Sequence, residues 1–215
     1  KINGSIPSMG KAIQEKNEEY IRECAVKQEA AGATYIDVCA SVPEEIEVET
    51  LKWLIDLVQE AVDVPICVDS PSPHSIVAAL PFCKKIGLVN SVSMEGGKIE
   101  AIFPVIADTK WECIALLCDD KGIPTTVERR LEVFDNILKK AEEYKIDPSR
   151  LHIDPLVETL STNGASLTTF AKCTREIKER SPSIHVTSGL SNISFGLPVR
   201  KLINQSFMTV FYQKI

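Results

Sequence analysis

Short apolar runs alternate with longer amphipathic stretches along the whole chain. The runs are rich in β-branched residues and bounded by Gly, Pro or Asp, which is typical of buried parallel strands. We predict strands at 34–39, 65–69, 87–92, 112–117, 151–154 and 183–187. The stretches between them carry apolar residues at helical spacing. We predict helices at 11–31, 48–61, 73–85, 126–144, 166–180 and 198–210.

This strand–helix order predicts an α/β fold with a parallel sheet. An open sheet that binds dinucleotides would show a glycine-rich turn after its first strand, and neither GxGxxG nor GxxxxGK[ST] is present. Polar residues instead stand at or after the ends of the predicted strands: Asp37, Asp69, Asn90, Asp119, Asp154 and Asn192. Each could cap a following helix. Together they favour a TIM (β/α)8 barrel, whose catalytic residues gather at those ends.

Composition narrows the class of protein. The chain has 215 residues, 44% hydrophobic and 25% charged, with a net charge of -6. A negative balance argues against nucleic acid as a partner, and no apolar run approaches a membrane span. No linker or composition shift divides the chain, so we predict one domain over 1–215. Seven cysteines without CxxC spacing, and no secretory signal, favour a reducing cytoplasmic location.

The predicted strand ends carry Asp and Asn but no Lys. Carboxylates only accept hydrogen bonds, so they suit a ligand with an amide N–H beside an exocyclic amine, such as the pyrimidine edge of a pterin. A hard cation such as magnesium is the second choice, although the acids form no compact DxD motif. A Schiff-base aldolase would need a strand-end Lys, and zinc hydrolysis would need clustered His. We therefore expect no metal ligands.

The segment GLSNISFGLP at 189–198 resembles the region after the seventh strand of methyltetrahydrofolate:corrinoid methyltransferases. KING at 1–4, ATYIDV at 33–38, VDS at 68–70, VNS at 89–91 and IDP at 153–155 resemble the same family, in its order and at compatible spacing. The likeness covers nearly the whole chain. It is strongest to the folate-side methyltransferases of anaerobic demethylation systems.

The resemblance implies a pterin-binding TIM barrel. It implies methyl transfer between the cobalt of a corrinoid (cobalamin) on a partner protein and N5 of tetrahydrofolate, with 5-methyltetrahydrofolate as the methylated folate. The family tends to form homodimers. By resemblance, Asn192 would hydrogen-bond N5 as the catalytic residue. The substrate-binding residues would be Asp69, Asn90, Asp154, Gly189, Ser191 and Arg200, with Asp37 and Asn3 matching family positions less closely.

The chain departs from the family pattern at both ends. It begins where the first strand of the family should be ending, and residues 211–215 show no clear fit. We therefore expect terminal strands of the barrel to be missing from this sequence. The DxHxxG signature that ligates cobalamin cobalt is also absent, so the corrinoid is expected on a separate protein.

Two other functions remain open. Dihydropteroate synthases share the barrel and resemble this chain at Asp37, Asp69, Asn90 and Asp154. They need a Lys and an Arg after the seventh strand for a pyrophosphate leaving group, whereas this chain has SGLSN at 188–192. A non-catalytic folate-binding module is the other alternative, and methyl turnover would distinguish it from a transferase.

Overall fold

The computed structural model describes residues 1–214 of the chain and the side chains of residues 1–211. The described residues form two compact units. The first unit is Lys1–Val92 with Glu100–Cys113, and the second unit is Ser93–Ile99 with Ile114–Ile215. Each unit repeats the strand–helix order that the sequence predicts. The expectation of a single domain over 1–215 stays a prediction.

The first unit contains neighbouring strands that all run parallel. They are β1 (Ile2–Asn3), β2 (Ile36–Cys39), β3 (Ile66–Asp69) and most of β4 (Leu88–Met94), in that order across the sheet. The pairing register aligns Cys39 with Asp69, and Asp69 with Asn90. This register brings the carboxyl ends of the strands to one level, as predicted.

The second unit contains most of β5 (Glu112–Asp119), followed by β6 (Leu151–Asp154) and β7 (His185–Val186). β6 and β7 are parallel, with Ile153 aligned to Val186. All six predicted strands are therefore present, and the parallel α/β class is confirmed. β1 and α5 are additional to the elements predicted from the sequence.

The helices are α1 (Pro7–Gln14), α2 (Glu18–Ala30), α3 (Glu44–Ala61), α4 (Pro73–Ala79), α5 (Lys98–Ile106), α6 (Val127–Glu143), α7 (Ser166–Arg180) and α8 (Arg200–Lys214). The single helix predicted at 11–31 is wrong, because α1 and α2 are separated by a break. Lys16 adopts a left-handed conformation (φ 54°), and the side chain of Asn17 then caps α2 by accepting the Tyr20 N–H at 3.1 Å. The last helix continues beyond the predicted end at 210, and Ile215 lies outside the described residues.

Each unit has its own apolar core. In the first unit, Leu51, Leu54 and Val58 of α3 are fully buried, as their spacing along one helix face requires. In the second unit, Val157, Phe170, Ile193 and Phe207 form one buried cluster. Burial of such side chains stabilises the fold by about 1.5–3 kcal/mol each. Within residues 1–214, no helix has the length and apolar character needed to cross a membrane.

Candidate functional site

In the first unit, one face of the sheet collects the polar residues predicted from the sequence. Neighbours at the same level of a parallel sheet point to the same face, as do residues two apart on one strand. The register aligns Asn3 with Cys39, Cys39 with Asp69, and Asp69 with Asn90. Asp37 stands two residues before Cys39 and so shares that face. Asn3, Asp37, Asp69 and Asn90 are therefore brought together.

Asp37 and Asn90 contact each other directly. The Asn90 Nδ2 amide donates to Asp37 Oδ2 at 3.2 Å. The other carboxylate oxygen of Asp37, Oδ1, is buried and has no hydrogen-bond partner among the residues that the structure describes. An unpartnered buried acceptor is costly, so this oxygen is suited to accept a hydrogen bond from a bound ligand.

Asp69 lies at the end of β3 in a partly buried position. Burial raises the pKa of Asp69 above its ordinary value, and the nearby negative charge of Asp37 raises it further. A hydrogen bond from the Cys39 thiol opposes this rise. Two carboxylates on one face thus form a site that favours a hydrogen-bond donor or a positive charge.

The turn after Asp69 is fixed by a buried acid on α3. The hydroxyl of Ser70 donates to Glu47 Oε1 at 2.8 Å, and Glu47 is only 3% exposed. Ser70 Oγ in turn accepts the N–H of Ser72, which caps α4. The carboxylate of Glu47 therefore anchors the segment that follows Asp69.

Asn3 is tied into its own turn. Its Oδ1 accepts the backbone N–H of Ser5 at 2.9 Å and the Ser5 hydroxyl at 2.5 Å. The hydroxyl of Ser41 also donates to this oxygen, at 3.3 Å. The side-chain oxygen Oδ1 of Asn3 thus stabilises the turns after β1 and β2. A role of Asn3 in ligand binding stays a prediction.

In the second unit, Asp154 ends β6 and is 8% exposed. Its Oδ1 accepts the N–H of Leu156 at 2.8 Å. Burial raises the pKa of Asp154 to about 6, although the backbone N–H groups of Leu156 and Gly189 and the charge of Arg130 oppose the rise. A buried, pre-oriented carboxylate of this kind is suited to bind paired N–H donors.

The loop after β7 places Asn192 beside Gly189. The Asn192 N–H donates to the Gly189 carbonyl at 2.9 Å, within the 3-10 helix Leu190–Ser194. A Cβ atom at position 189 would lie 2.7 Å from Asn192 Nδ2, so a side chain there would displace this amide. Both residues are exposed to solvent. The amide of Asn192 is therefore accessible to a ligand and depends on the glycine for its position.

Arg200 and Ser191 meet at the start of α8. Arg200 donates from Nη2 to the Ser191 carbonyl at 2.9 Å and from Nε to Ser194 Oγ at 3.1 Å. Ser191 and Arg200 also line a groove of about 890 Å³ along α8. The second unit thus brings Gly189, Ser191, Asn192 and Arg200 together in the segment from the β7–α8 loop to the start of α8, and their roles as ligands stay predictions.

For the His and Asp side chains near the strand ends, spacing and partners decide whether they could be metal ligands. His152 and His185 are aligned on β6 and β7, and their rings stack with centroids 4.7 Å apart. Within residues 1–214, however, no group of three or more His, Cys, Asp or Glu side chains could hold a metal ion. Asp119 serves its own loop, because it pairs with Arg129 and accepts the N–H of Lys121.

Sequence reasoning missed two buried charged residues, Glu47 and Arg130, which are 3% and 0% exposed. Both stand on the apolar faces of their helices. Glu47 precedes Leu51 by four residues, and Arg130 precedes Phe134 by four residues. A charge at such a position must be paired when the helix packs, and this was the available signal for both.

The chain is similar to known proteins both in sequence and in structure. A family model described as "Pterin binding enzyme" matches residues 5–211. The methylcorrinoid:tetrahydrofolate methyltransferase of Eubacterium limosum is 53% identical over 212 residues, which are 98% of this chain and 78% of that protein. The methionine synthase of Mycobacterium leprae (strain TN) is 28% identical over 198 residues. That match covers 86% of this chain but only 16% of the methionine synthase.

Solved structures of dihydropteroate synthases are also similar. The enzyme from Stenotrophomonas maltophilia with active site-bound imidazole gives a TM-score of 0.69 at 17% identity, covering 93% of this chain and 80% of that one. The Xanthomonas albilineans enzyme in complex with 7,8-dihydropteroate gives 0.66 at 19% identity, covering 99% and 81%. Likeness at this identity shows the fold alone. It confirms the predicted TIM-barrel class.

Proposed function

This chain belongs to the family of pterin binding enzymes, and we propose that it transfers a methyl group between the cobalt of a corrinoid and N5 of tetrahydrofolate. The observation that carries the proposal is the 53% identity, over 98% of the chain, to a methylcorrinoid:tetrahydrofolate methyltransferase. The name of that relative supports transfer from the methylcorrinoid to the folate as the direction. The matched region includes every residue that we assign a role below.

The second unit supplies the clearest pterin ligand. Asp154 is buried, and its carboxylate is oriented by the backbone N–H of Leu156. In its ionised form it can accept both the ring N–H and the exocyclic amine of a pterin. For Asp69 and Asn90 of the first unit, we propose pterin-binding roles on the family resemblance alone. The unpartnered Oδ1 of Asp37 supports a ligand that donates hydrogen bonds.

Asn192 is proposed to act at N5. In the transfer to folate, the N5 lone pair forms the new N–C bond while the carbon–cobalt bond breaks, and that electron pair stays on cobalt. N5 must then release its proton. An amide can hydrogen-bond N5 before and after this loss, because it offers both an N–H donor and a carbonyl acceptor. The remaining task of the protein is to hold N5 in line with the methyl group.

The second substrate in this proposal is the corrinoid, which a separate protein carries. The methyl group reaches cobalt by chemistry that belongs to that partner. We further propose a homodimer in the cytoplasm. The seven cysteines are all free, which supports a reducing compartment.

The variant Asn192→Ala tests the catalytic assignment. We expect methyl transfer to fall about 10²–10³-fold, because a donor that acts as charge changes at N5 is lost. Folate affinity should change by less than about tenfold, since Asp154 remains. Turnover is measured with tetrahydrofolate and methylcob(III)alamin, and affinity by calorimetry. Wild-type turnover by the variant would show that Asn192 has no role at N5.

A suitable control is Asn136→Ala, which removes an exposed amide from the same unit. Asn136 stands on α6 and belongs to none of the loops proposed to bind the pterin. Equal losses of turnover in both variants would mean that loosening of the unit, and not the loss of an amide at N5, explains the result.

A further inference from the structure

Arg130 on α6 is the largest fully buried side chain of the described chain, with 0% of its surface exposed. Each of its three guanidinium nitrogens donates a hydrogen bond, to the backbone or to one acid. Nε donates to the Pro124 carbonyl at 2.9 Å, and Nη2 donates to Glu158 Oε2 at 2.7 Å. Nη1 donates to the carbonyls of Pro155 and Leu156 at 2.6 and 2.7 Å.

Burial of a guanidinium is unfavourable because the group loses its hydration, and hydrogen bonds to its donors must offset that loss. An apolar side chain of similar volume would fill the same space without that cost. It could not, however, hold carbonyl oxygens that come from two different loops. The contacts of Arg130 therefore fix loop geometry, which is something that packing alone does not provide.

The loop that Arg130 holds begins directly after Asp154. Leu156 adopts a left-handed conformation, with φ at 68°, which is unfavourable for a residue with a Cβ. In this conformation the Leu156 N–H donates to Asp154 Oδ1 at 2.8 Å, while its carbonyl accepts from Arg130. One peptide segment thus links the buried cation to the carboxylate proposed to bind the pterin.

Glu158 pairs with the Nη2 group of the guanidinium and also contacts two other residues of its unit. Its Oε2 also accepts the Asn163 amide at 3.1 Å, and its backbone N–H donates to Ser166 Oγ at 2.9 Å. Ser166 begins α7. The loop between β6 and α7 is therefore tied at Pro155, Leu156 and Glu158 to one guanidinium from α6.

We propose that Arg130 is a positioning residue for pterin recognition: through Leu156 it sets the orientation of the Asp154 carboxylate. It acts without touching the substrate. The inference rests on the proposed function only in naming the pterin as the ligand of Asp154. The link from Arg130 through Leu156 to Asp154 is a property of the free protein.

The positive charge of Arg130 favours the ionised form of Asp154, as does the hydrogen bond from Leu156 that Arg130 helps to position. The Leu156 N–H, the Gly189 N–H and the positive charge of Arg130 all lower the pKa of Asp154, against the larger effect of burial. Glu158 is the acid that faces Arg130 and partly neutralises it. Weakening the hold of Arg130 on Leu156 should therefore raise the pKa of Asp154, whereas removing the charge of Glu158 should lower it.

The test uses Arg130→Lys, with Arg129→Lys as the matched control. Lysine keeps the charge, but a single ammonium cannot bridge Pro124, Glu158 and both loop carbonyls. Arg129 stands one residue earlier on α6, is partly exposed and pairs with Glu132. The pKa of Asp154 is read in the ligand-free protein by carbon NMR of labelled aspartate, assigned with Asp154→Asn. Affinity for 5-methyltetrahydrofolate is read by calorimetry.

We expect Arg130→Lys to raise the pKa of Asp154 above about 6 and to weaken folate binding about tenfold or more. Arg129→Lys should leave both unchanged. Glu158→Gln is the second variant, in case Arg130→Lys does not fold. It should lower the pKa of Asp154, and a general loosening of the loop would not produce this opposite shift.

Two outcomes separate the inference from the proposed function. If Asp154 titrates identically in Arg130→Lys and Arg129→Lys, or if Glu158→Gln raises its pKa, the positioning role is overturned. If the predicted pKa shifts occur but wild-type protein binds no folate, the positioning of Asp154 stands and the proposed function fails.

Discussion

At the residue scale, each unit carries a carboxylate whose ionised form is disfavoured by burial. Asp154 is buried at the end of β6 in the second unit, and Asp69 ends β3 in the first unit, next to the strand that carries Asp37. Both have raised pKa values. Groups that destabilise the folded protein in their ionised form mark functional sites more often than structural ones. A ligand that donates hydrogen bonds would recover part of this cost.

The pH dependence of stability tests the burial of Asp154. Its pKa is about 6 in the folded protein, against 3.8 as the ordinary value. Between these values the folded state holds the proton more tightly, so the free energy of unfolding falls as pH rises, by on the order of 2–3 kcal/mol in total. Asp154→Asn should lack this fall and be more stable than wild type above about pH 6, measured by urea unfolding.

The exposed Asp135 provides the control, since Asp135→Asn removes an acid from the surface of α6. Its stability curve should follow that of wild type. If Asp154→Asn and wild type kept parallel curves from about pH 4 to about pH 7, the carboxylate would not be buried as described.

The polar residues at the strand ends could be predicted from the sequence, but the buried charged residues that hold the neighbouring loops could not. Asp69, Asn90 and Asp154 could be found because parallel strands expose their carboxyl ends on one edge, where polar residues stand out against apolar runs. Glu47 and Arg130 could not be assigned, because their partners are a serine hydroxyl and backbone carbonyls far along the chain. Those partners leave no sequence pattern. The ligand roles of all these residues stay predictions.

At the element scale, strands were predicted better than helix ends. The predicted strands match because apolar runs with β-branched residues identify buried strands directly. The helix predicted at 11–31 is wrong because the break between α1 and α2 depends on the left-handed Lys16 and the cap at Asn17. Capping can interrupt a helical pattern without changing its apolar residues. α5 was not predicted, and it carries Pro104 within the helix.

The loop between β7 and α8 makes a prediction of its own. Gly189→Ala would place a Cβ 2.7 Å from Asn192 Nδ2. The backbone of Gly189 has φ at -71°, so alanine fits the chain and only the Asn192 amide must move. We expect methyl transfer to fall at least about tenfold, with the melting temperature nearly unchanged. Gly164→Ala is the control, because a Cβ there meets no atom within 4 Å. Full activity in Gly189→Ala would mean that the position of Asn192 is not critical.

At the scale of the whole molecule, the family assignment and the parallel fold rest on independent findings. The family model spans residues 5–211, and the structural likeness to dihydropteroate synthases shows the TIM-barrel class. The sequence could predict both, because repeated strand–helix units and the segment at 189–198 are local patterns. The single domain over 1–215 and the homodimer depend on packing between distant parts of one or two chains. Local patterns do not encode such packing, so both stay predictions.

The central claim is methyl transfer between a corrinoid and tetrahydrofolate. The most direct test incubates the protein anaerobically with tetrahydrofolate and methylcob(III)alamin, and follows both the loss of the methylcorrinoid absorbance and the formation of 5-methyltetrahydrofolate. The account predicts that the two change in equal amounts and that the Asn192→Ala variant slows both. Folate binding without any transfer would contradict the account and indicate a non-catalytic folate-binding module. Formation of dihydropteroate from a dihydropterin pyrophosphate and 4-aminobenzoate would contradict it in favour of a synthase.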